Sequence, residues 1–290
     1  MASEEFQKLA AYMAANPMPK LGNAEMREQM DAFGRRAKLP GGMVAETRID
    51  TPVPARLLTP ASAEEGLILY AHGGGFTLGS IESHAHVAAW LGEAARRAVL
   101  IFDYRLTPEH PFPAALHDYR AVYRWALDRG AAPSSIAFAG DSAGANLSLS
   151  VVVNDDLPRP GAVALLSPSL DLAAYLALDP AQISDKSVDA AGIADGFRDY
   201  IGSAKAADPR VSPNRGDVSG LPPLFIQLAK AEVFAPEALA FAERVKAEGG
   251  VAEIDVWEEM VHDWHWYAPR LPEASEALER AGAFICQHLA

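Results

Sequence analysis

Beyond Gly41-Gly42, short apolar runs that do not alternate with polar residues take turns with longer amphipathic segments. A strand that alternates has one wet face, whereas one that is apolar throughout must be covered on both faces. Parallel sheets sandwiched between crossover helices meet that demand. The runs 66–70, 99–103, 136–139, 162–166, 224–228 and 252–257 read as such strands, and 114–128, 143–153, 236–248 and 272–288 as the helices between and after them. In the last helix Ala274, Ala277, Leu278, Ala281, Phe284 and Ile285 lie on one stripe, so it should pack on the sheet. The expected fold class is α/β, a mostly parallel central sheet flanked by helices around one core.

Two stretches stand outside this pattern. In the first forty residues Phe6, Leu9, Ala10 and Met13 share one helical face and Met26, Met30 and Phe33 another, with a Pro-containing break between them. Residues 173–221, between two strands, are too long for a simple crossover and have broken helical patterning with several Pro and Gly. The net charge of −13 opposes binding to nucleic acid or anionic lipid, both polyanions. No apolar run approaches the roughly 20 residues of a membrane span, and the acidic start Glu4-Glu5 is unlike a secretory signal. A cytoplasmic protein without membrane insertion is therefore expected. The lone Cys286 fits a reducing compartment and is expected to be buried and inert.

The chemistry begins at Gly140-Asp141-Ser142-Ala143-Gly144, a Gly-X-Ser-X-Gly pentapeptide between an apolar strand and a helix. A sharp turn there pushes the serine hydroxyl outward and crowds the flanking backbones, which glycine tolerates; the arrangement resembles the nucleophile elbow of α/β-hydrolases. The following helix N-terminus offers unpaired N–H groups to a developing oxyanion. Ser142 is thus the candidate nucleophile, the bland alternative being a Gly/Ser turn that caps a helix. Upstream, His72-Gly73-Gly74-Gly75-Phe76 leaves the strand ending Leu69-Tyr70. Its glycines allow backbone N–H groups to approach a substrate, so Gly73, Gly74 and Ala143 are expected to form the oxyanion hole. A phosphate cradle is the other reading, but the Gly-Lys-Ser/Thr ending is absent. His72 should hold the loop with its ring, and His84 and His86 should be surface or packing residues. Phe76 and Trp264 are the candidates to line a substrate pocket.

In this order the motifs resemble those of the bacterial hormone-sensitive-lipase-like esterases. Asp103-Tyr104-Arg105-Leu106-Thr107-Pro108-Glu109-His110-Pro111-Phe112-Pro113-Ala114-Ala115, Ser167-Pro168-Ser169-Leu170-Asp171-Leu172 and Leu221-Pro222-Pro223-Leu224 are similar to family segments, and the likeness runs from about Ala55 to the C-terminus. The resemblance implies an α/β-hydrolase catalytic domain over 46–290, with a helical cap made of residues 1–45 and the insertion 173–221. It further implies hydrolysis of short-chain acyl esters of small molecules, no metal or other cofactor, and homodimers or homotetramers. Arg105 and Glu109 are expected to be architectural. The family commonly has Gly where this chain has Leu228-Ala229-Lys230, so Lys230 either alters the surroundings of the catalytic acid or points to solvent.

Chain order in this fold is Ser, then Asp or Glu, then His. In Met260-Val261-His262-Asp263-Trp264-His265 the resemblance makes His262 the base, with His265 as the alternative. The acid should follow the strand 224–228; Glu232 fits and resembles the family position, whereas Glu237 sits after Pro236 in a first helical turn that already explains a carboxylate. The His262–His265 cluster lacks the His-Glu-X-X-His spacing of a zinc site. A lactonase or amidase would use the same Ser142, His262 and Glu232. A non-catalytic small-molecule-binding protein on the same scaffold is the reading from another class.

Overall fold

The computed structural model describes residues 2–16, 21–46, 49–154, 156–183, 185 and 188–290. The elements in chain order are α1 (Glu4–Ala15), α2 (Asn23–Arg36), β1 (Val44–Glu46), β2 (Ala55–Thr59), β3 (Glu64–Ala71), α3 (Ile81–Ala95), β4 (Arg97–Phe102), α4 (Ala114–Asp128), β5 (Ile136–Asp141), α5 (Ala143–Asn154), β6 (Ala162–Leu166), α6 (Leu172–Leu176), α7 (Ala190–Ile201), β7 (Leu224–Ala229), α8 (Ala235–Ala247), β8 (Ala252–Trp257) and α9 (Pro272–His288). The Pro-containing break expected between the first two helices falls on residues 17–20, outside the described residues.

The strands form one sheet in the order β1-β2-β4-β3-β5-β6-β7-β8. The β1–β2 and β2–β4 pairs are antiparallel and the rest parallel. Alternation of side chains across the sheet divides the apolar strands between two cores. Leu69, Leu100, Phe138, Leu165 and Ile226 join α4, α5 and α8 on one face. On the other, Ile68, Val99, Ala137, Ala139, Ala162, Ala164 and Phe225 meet α3 and α9. Both faces are covered, as uniformly apolar strands require. The expected fold class is thus present, a sheet of eight mostly parallel strands flanked by helices.

Strand order reverses between β3 and β5: from β3 the chain moves outward to β4, then returns past β3 to β5 and continues to β8 on the other side. In open α/β sheets the crevice beyond the carboxyl ends of strands at such a switch point is where ligands bind. Ala71, the last residue of β3, pairs in register with Gly140 of β5. The loop opening at His72 and the turn holding Ser142 therefore leave the sheet side by side.

Of the remaining helices, α7 and α2 border this crevice. The segment between β6 and β7 carries α6 and α7, and α7 buries Phe197, Tyr200 and Ile201 beneath it. Helix α1 docks elsewhere: Phe6 enters the core shared by α3 and α9, and Ser3 bonds Glu273 through N–H (2.6 Å) and hydroxyl (2.8 Å). Helix α2 reaches the crevice through Arg27, which donates to the carbonyls of Thr77 and Thr107, both at 2.8 Å, and pairs with Glu109. Arg105 likewise clamps Asp118 at 2.7 Å. Cys286, expected to be buried, is partly exposed, because α9 turns it away from the apolar stripe. No helix among the described residues is long and apolar enough to cross a membrane.

Candidate active site

Ser142 takes φ of +49°, a left-handed conformation rare for a residue with a side chain. The glycines around it are there for space. A Cβ on Gly144 would lie 2.0 Å from the carbonyl oxygen of Ala71, and one on Gly140 2.6 Å from the same atom. Ser142 N–H donates to the Leu166 carbonyl at 2.9 Å, tying the turn to β6. Ala143 opens α5, where the first backbone N–H groups have no intrahelical acceptor.

A continuous hydrogen-bonded chain meets the serine. His262 Nε2 stands 3.0 Å from Ser142 Oγ, and His262 Nδ1 stands 2.7 Å from Glu232 Oε2. The other oxygen of Glu232 accepts from Ala229 N–H at 2.6 Å and from the Ser167 hydroxyl at 2.9 Å. A carboxylate saturated in this way is fixed in orientation and presents one oxygen to the ring. Ser167 has φ of +43° and also accepts from Asp263 N–H at 3.2 Å, so one hydroxyl holds both Glu232 and the loop carrying His262. Sequence reasoning quoted Ser167 only as part of a family segment; its neighbour Pro168 and its place at a strand end were the available signals.

The competing residues are engaged elsewhere. Glu237 Oε1 accepts from the N–H groups of Leu170 (2.6 Å) and Asp171 (3.0 Å). His265 Nε2 bonds Gln227 Oε1 at 2.7 Å, and burial drops its pKa to about 3, which keeps the ring neutral. Lys230 is exposed and pairs with Glu258 at 2.9 Å, so it points to solvent. For His262 burial works downward, but the charges of Asp263 and then Glu232 carry it up to about 10. Asp263 was not singled out from the sequence, and its Oδ2 lies 3.2 Å from Nε2 of the base.

The oxyanion loop requires one correction. Gly73 N–H, expected to face the substrate, donates to Asp141 Oδ2 at 3.0 Å. That carboxylate also accepts from Tyr70 hydroxyl at 2.6 Å and meets His84 Nε2 at 3.3 Å. Burial pushes Asp141 upward, yet His84 and then Tyr70 hold it down at about 2. A buried charge claims the donors it needs, and Gly73 is one of them. The N–H groups of Gly74 and Gly75 have no protein acceptor among the described residues. A Cβ on Gly75 would meet nothing within 4 Å, so this glycine, missed from the sequence, borders open space. His72 serves the loop as expected: its Nδ1 bonds the Gly73 carbonyl at 2.9 Å and its ring stacks on Tyr104 at 4.3 Å. Burial, followed by the nearby His84, lowers its pKa to about 3. His84 and His86 are both buried packing residues, the latter bonding the Trp266 carbonyl at 2.8 Å.

The two aromatic residues expected in the pocket are also corrected. Phe76 is wholly buried and stacked on Tyr200 of α7 at 3.7 Å, while Trp264 is wholly buried between Trp257 and His265. Both rings gain more from packing beneath their loops than from an open face. Phe234 is the ring beside the base, 5.2 Å from His262, and it continues to Tyr175 (5.2 Å) and Phe197 (6.3 Å). No group of three or more His, Cys, Asp or Glu among the described residues could hold a metal ion.

Comparison with known proteins gives the same outline. A family model described as an alpha/beta hydrolase fold matches residues 68–266. An acetyl-hydrolase of Streptomyces hygroscopicus is 36% identical over 98% of this chain and 97% of its own. Among solved structures, the esterase EstE5 soaked with p-nitrophenyl butyrate superposes with a TM-score of 0.91 at 32% identity, over 99% of each chain. An esterase from the bacterial hormone-sensitive lipase family superposes with a TM-score of 0.90 at 32% identity over 100% of both chains.

Proposed function

Because the chain belongs to the bacterial hormone-sensitive-lipase-like esterases of the α/β-hydrolase fold, we propose that it cleaves short-chain acyl esters through an acyl-enzyme on Ser142. In this reading His262 is the base and Glu232 the acid that orients it. The observation that carries it is the unbroken chain Glu232–His262–Ser142, at 2.7 and 3.0 Å.

His262 Nε2 accepts the Ser142 proton as Oγ attacks the ester carbonyl. Glu232 holds the Nδ1 proton and stabilises the imidazolium that forms. The negative charge on the tetrahedral oxygen falls to the N–H groups of Gly74, Gly75 and Ala143, donors whose single loss costs roughly 3–4 kcal/mol in other enzymes. Collapse expels the alcohol, which takes the proton from Nε2. Water, deprotonated by the same nitrogen, then attacks the acyl carbonyl and frees the carboxylic acid and Ser142.

The preference for short acyl groups rests on the surroundings of the site. Helix α7 crosses directly over the oxyanion loop at Gly196, where a Cβ would be 3.1 Å from the Gly75 carbonyl. Phe234, Tyr175 and Phe197 close the side next to the base. We read α7 with its insertion, together with α2, as the cap. An acetyl-hydrolase among the relatives and a butyryl ester soaked into a structural neighbour agree with a small acyl pocket.

The test is a series of p-nitrophenyl esters from acetyl to dodecanoyl, assayed with wild type and Ser142→Ala, alongside labelling by a fluorophosphonate. Turnover should vanish in the folded alanine variant, the label should sit on Ser142, and rates should fall toward the long chains. Full activity in Ser142→Ala, or label on another residue, refutes the nucleophile; rates that rise toward dodecanoyl refute the short-chain preference.

A further inference from the structure

Asp263 follows the base in the chain and turns back onto it. Its backbone is left-handed, φ +53°, and its N–H is held by the Ser167 hydroxyl at 3.2 Å. The side chain then stands with Oδ2 3.2 Å from His262 Nε2, the same ring nitrogen that Ser142 Oγ approaches at 3.0 Å. Its other oxygen, Oδ1, is buried without a hydrogen-bond partner. The ring is thus bracketed by two carboxyl groups, Glu232 on Nδ1 and Asp263 on Nε2.

Proton bookkeeping at this ring has few solutions. Ionised Glu232 offers only lone pairs, so Nδ1 must be the donor in the 2.7 Å bond. Nε2 faces Ser142 Oγ at 3.0 Å, and Asp263 Oδ2 stands beside that axis at 3.2 Å, close enough that a carboxylate charge there favours the imidazolium. In the imidazolium Nε2 carries a proton, and the lone pair that must take the Ser142 proton is already occupied.

We propose that Asp263 is a positioning residue that keeps the resting base proton-occupied, so that the ester-cleaving form appears only when the Asp263–His262 pair gives up one proton. The inference rests on the reading of Ser142 and His262 as nucleophile and base.

The surroundings favour retention of that proton. The titratable groups facing the pair are Glu232 after β7, Asp141 at the elbow, Asp185 in the cap segment, Tyr70 on β3, and His265 and Tyr267 in the following turn. Among the described residues, none of these groups supplies a fixed positive charge. Burial pushes the Asp263 carboxyl well up; the charge of His262 works against that rise, and the charges of Asp141 and Glu232 add to it. The Asp263 side chain keeps 23% exposure, a route by which the proton reaches solvent.

The pH dependence of kcat/KM and of fluorophosphonate labelling should be measured for wild type, Asp263→Asn and Asp263→Ala. The wild-type acidic limb should lie at least about one pH unit above the ordinary histidine value of about 6.5. In both variants it should move down by at least about one unit. At pH 6 each variant should then hold a roughly tenfold larger fraction of its own plateau rate than wild type does. A purely structural role would lower the plateau without moving the limb, and a limb common to all three proteins overturns the proposal. If the variants fail to fold, 15N NMR of the wild-type imidazole decides: a proton on Nε2 at pH 7 supports it, and a bare Nε2 overturns it. A wild type never labelled at Ser142 at any pH overturns the esterase reading itself, a result distinct from a labelled enzyme whose limb stays in place.

Discussion

Replacing Glu232 by Gln isolates the acid from every other part of the site, because the amide keeps the size of the carboxyl and changes only its charge and donors. Glu232 makes three bonds: Oε1 accepts from Ala229 N–H at 2.6 Å and from Ser167 at 2.9 Å, and Oε2 takes His262 Nδ1 at 2.7 Å. The amide of Gln has one acceptor end. If its oxygen stays on Ala229 and Ser167, its NH2 faces Nδ1, the ring proton is driven to Nε2, and no lone pair remains for the Ser142 proton. If the amide flips, its NH2 meets Ala229 N–H at a separation suited only to a donor and an acceptor. The first arrangement therefore wins, and it is the catalytically dead tautomer.

The charge lost adds to this. A hydrogen bond to an ionised group contributes about 1.5–3 kcal/mol, and the imidazolium formed during attack would lose its partner at 2.7 Å. With the wrong tautomer included, we expect kcat to fall at least about a hundredfold, equal to about 2.7 kcal/mol at 1.36 per tenfold. An amide at the equivalent place has cost about 10⁴ in another hydrolase. KM should change little, since the interaction strengthens only as the proton moves. Glu237→Gln is the matched control: both of its bonds, to Leu170 and Asp171 N–H, use the single oxygen Oε1, which an amide retains. Steady-state kinetics on acetyl and butyryl esters measure both. Glu232→Gln with more than a tenth of wild-type kcat, beside a Glu237→Gln crippled a hundredfold, would refute the assignment and move the acid to Glu237.

Two further outcomes concern stability. Burial raises Glu237 from 4.5 to about 7, so the native state keeps a proton where the unfolded chain has lost it, and stability falls as pH rises from about 4.5 to 7, by up to about 3 kcal/mol. Glu237→Gln should flatten that slope in urea unfolding at pH 5 and pH 8; an unchanged slope means the carboxyl is not the titrating group. Gly73→Ala would bring a Cβ within 2.2 Å of Asp141 Oδ2, whereas Gly75→Ala meets open space and only the strain of φ +62°. Thermal unfolding should therefore place Gly73→Ala well below Gly75→Ala, and the opposite order would show that the Gly73–Asp141 bond does not hold the loop.

Much of the sheet was legible because its strands are apolar on both faces and bounded by turn residues. β6, β8, α4 and α9 begin and end where the pattern puts them. Helix α3 was not legible: its buried residues include Ser83, His84 and His86, so its inward face is partly polar and the helical period is blurred. The antiparallel β1 and β2 at the sheet edge were missed as well, being only three and five residues long. At the site, the strand, turn and helix context led to Ser142, and chain order together with the family resemblance led to Glu232 and His262 as candidates. The candidate oxyanion donors were not legible: three successive glycines look alike in sequence, and which N–H stays free depends on Asp141, sixty-eight residues away from Gly73.

Asp263 marks the same limit more sharply. A residue beside the base reads as a neighbour in sequence, and on an extended backbone its side chain would point away from the ring. Only φ of +53°, fixed by the Ser167 bond and the turn that follows, brings the carboxyl onto Nε2. Ser167 in turn is held at the end of β6 by its N–H bond to Gln227 on β7, at 2.7 Å. Under the proposal above, the protonation of His262 therefore depends on how two strands hold Ser167, a dependence that pairwise motif reading has no means of seeing. Ser167→Ala releases Glu232 and the loop together, whereas Asp263→Asn keeps the size of the side chain and removes its charge while adding an NH2 donor, so the two substitutions, read beside Asp263→Ala, separate positioning from electrostatics in the same ring.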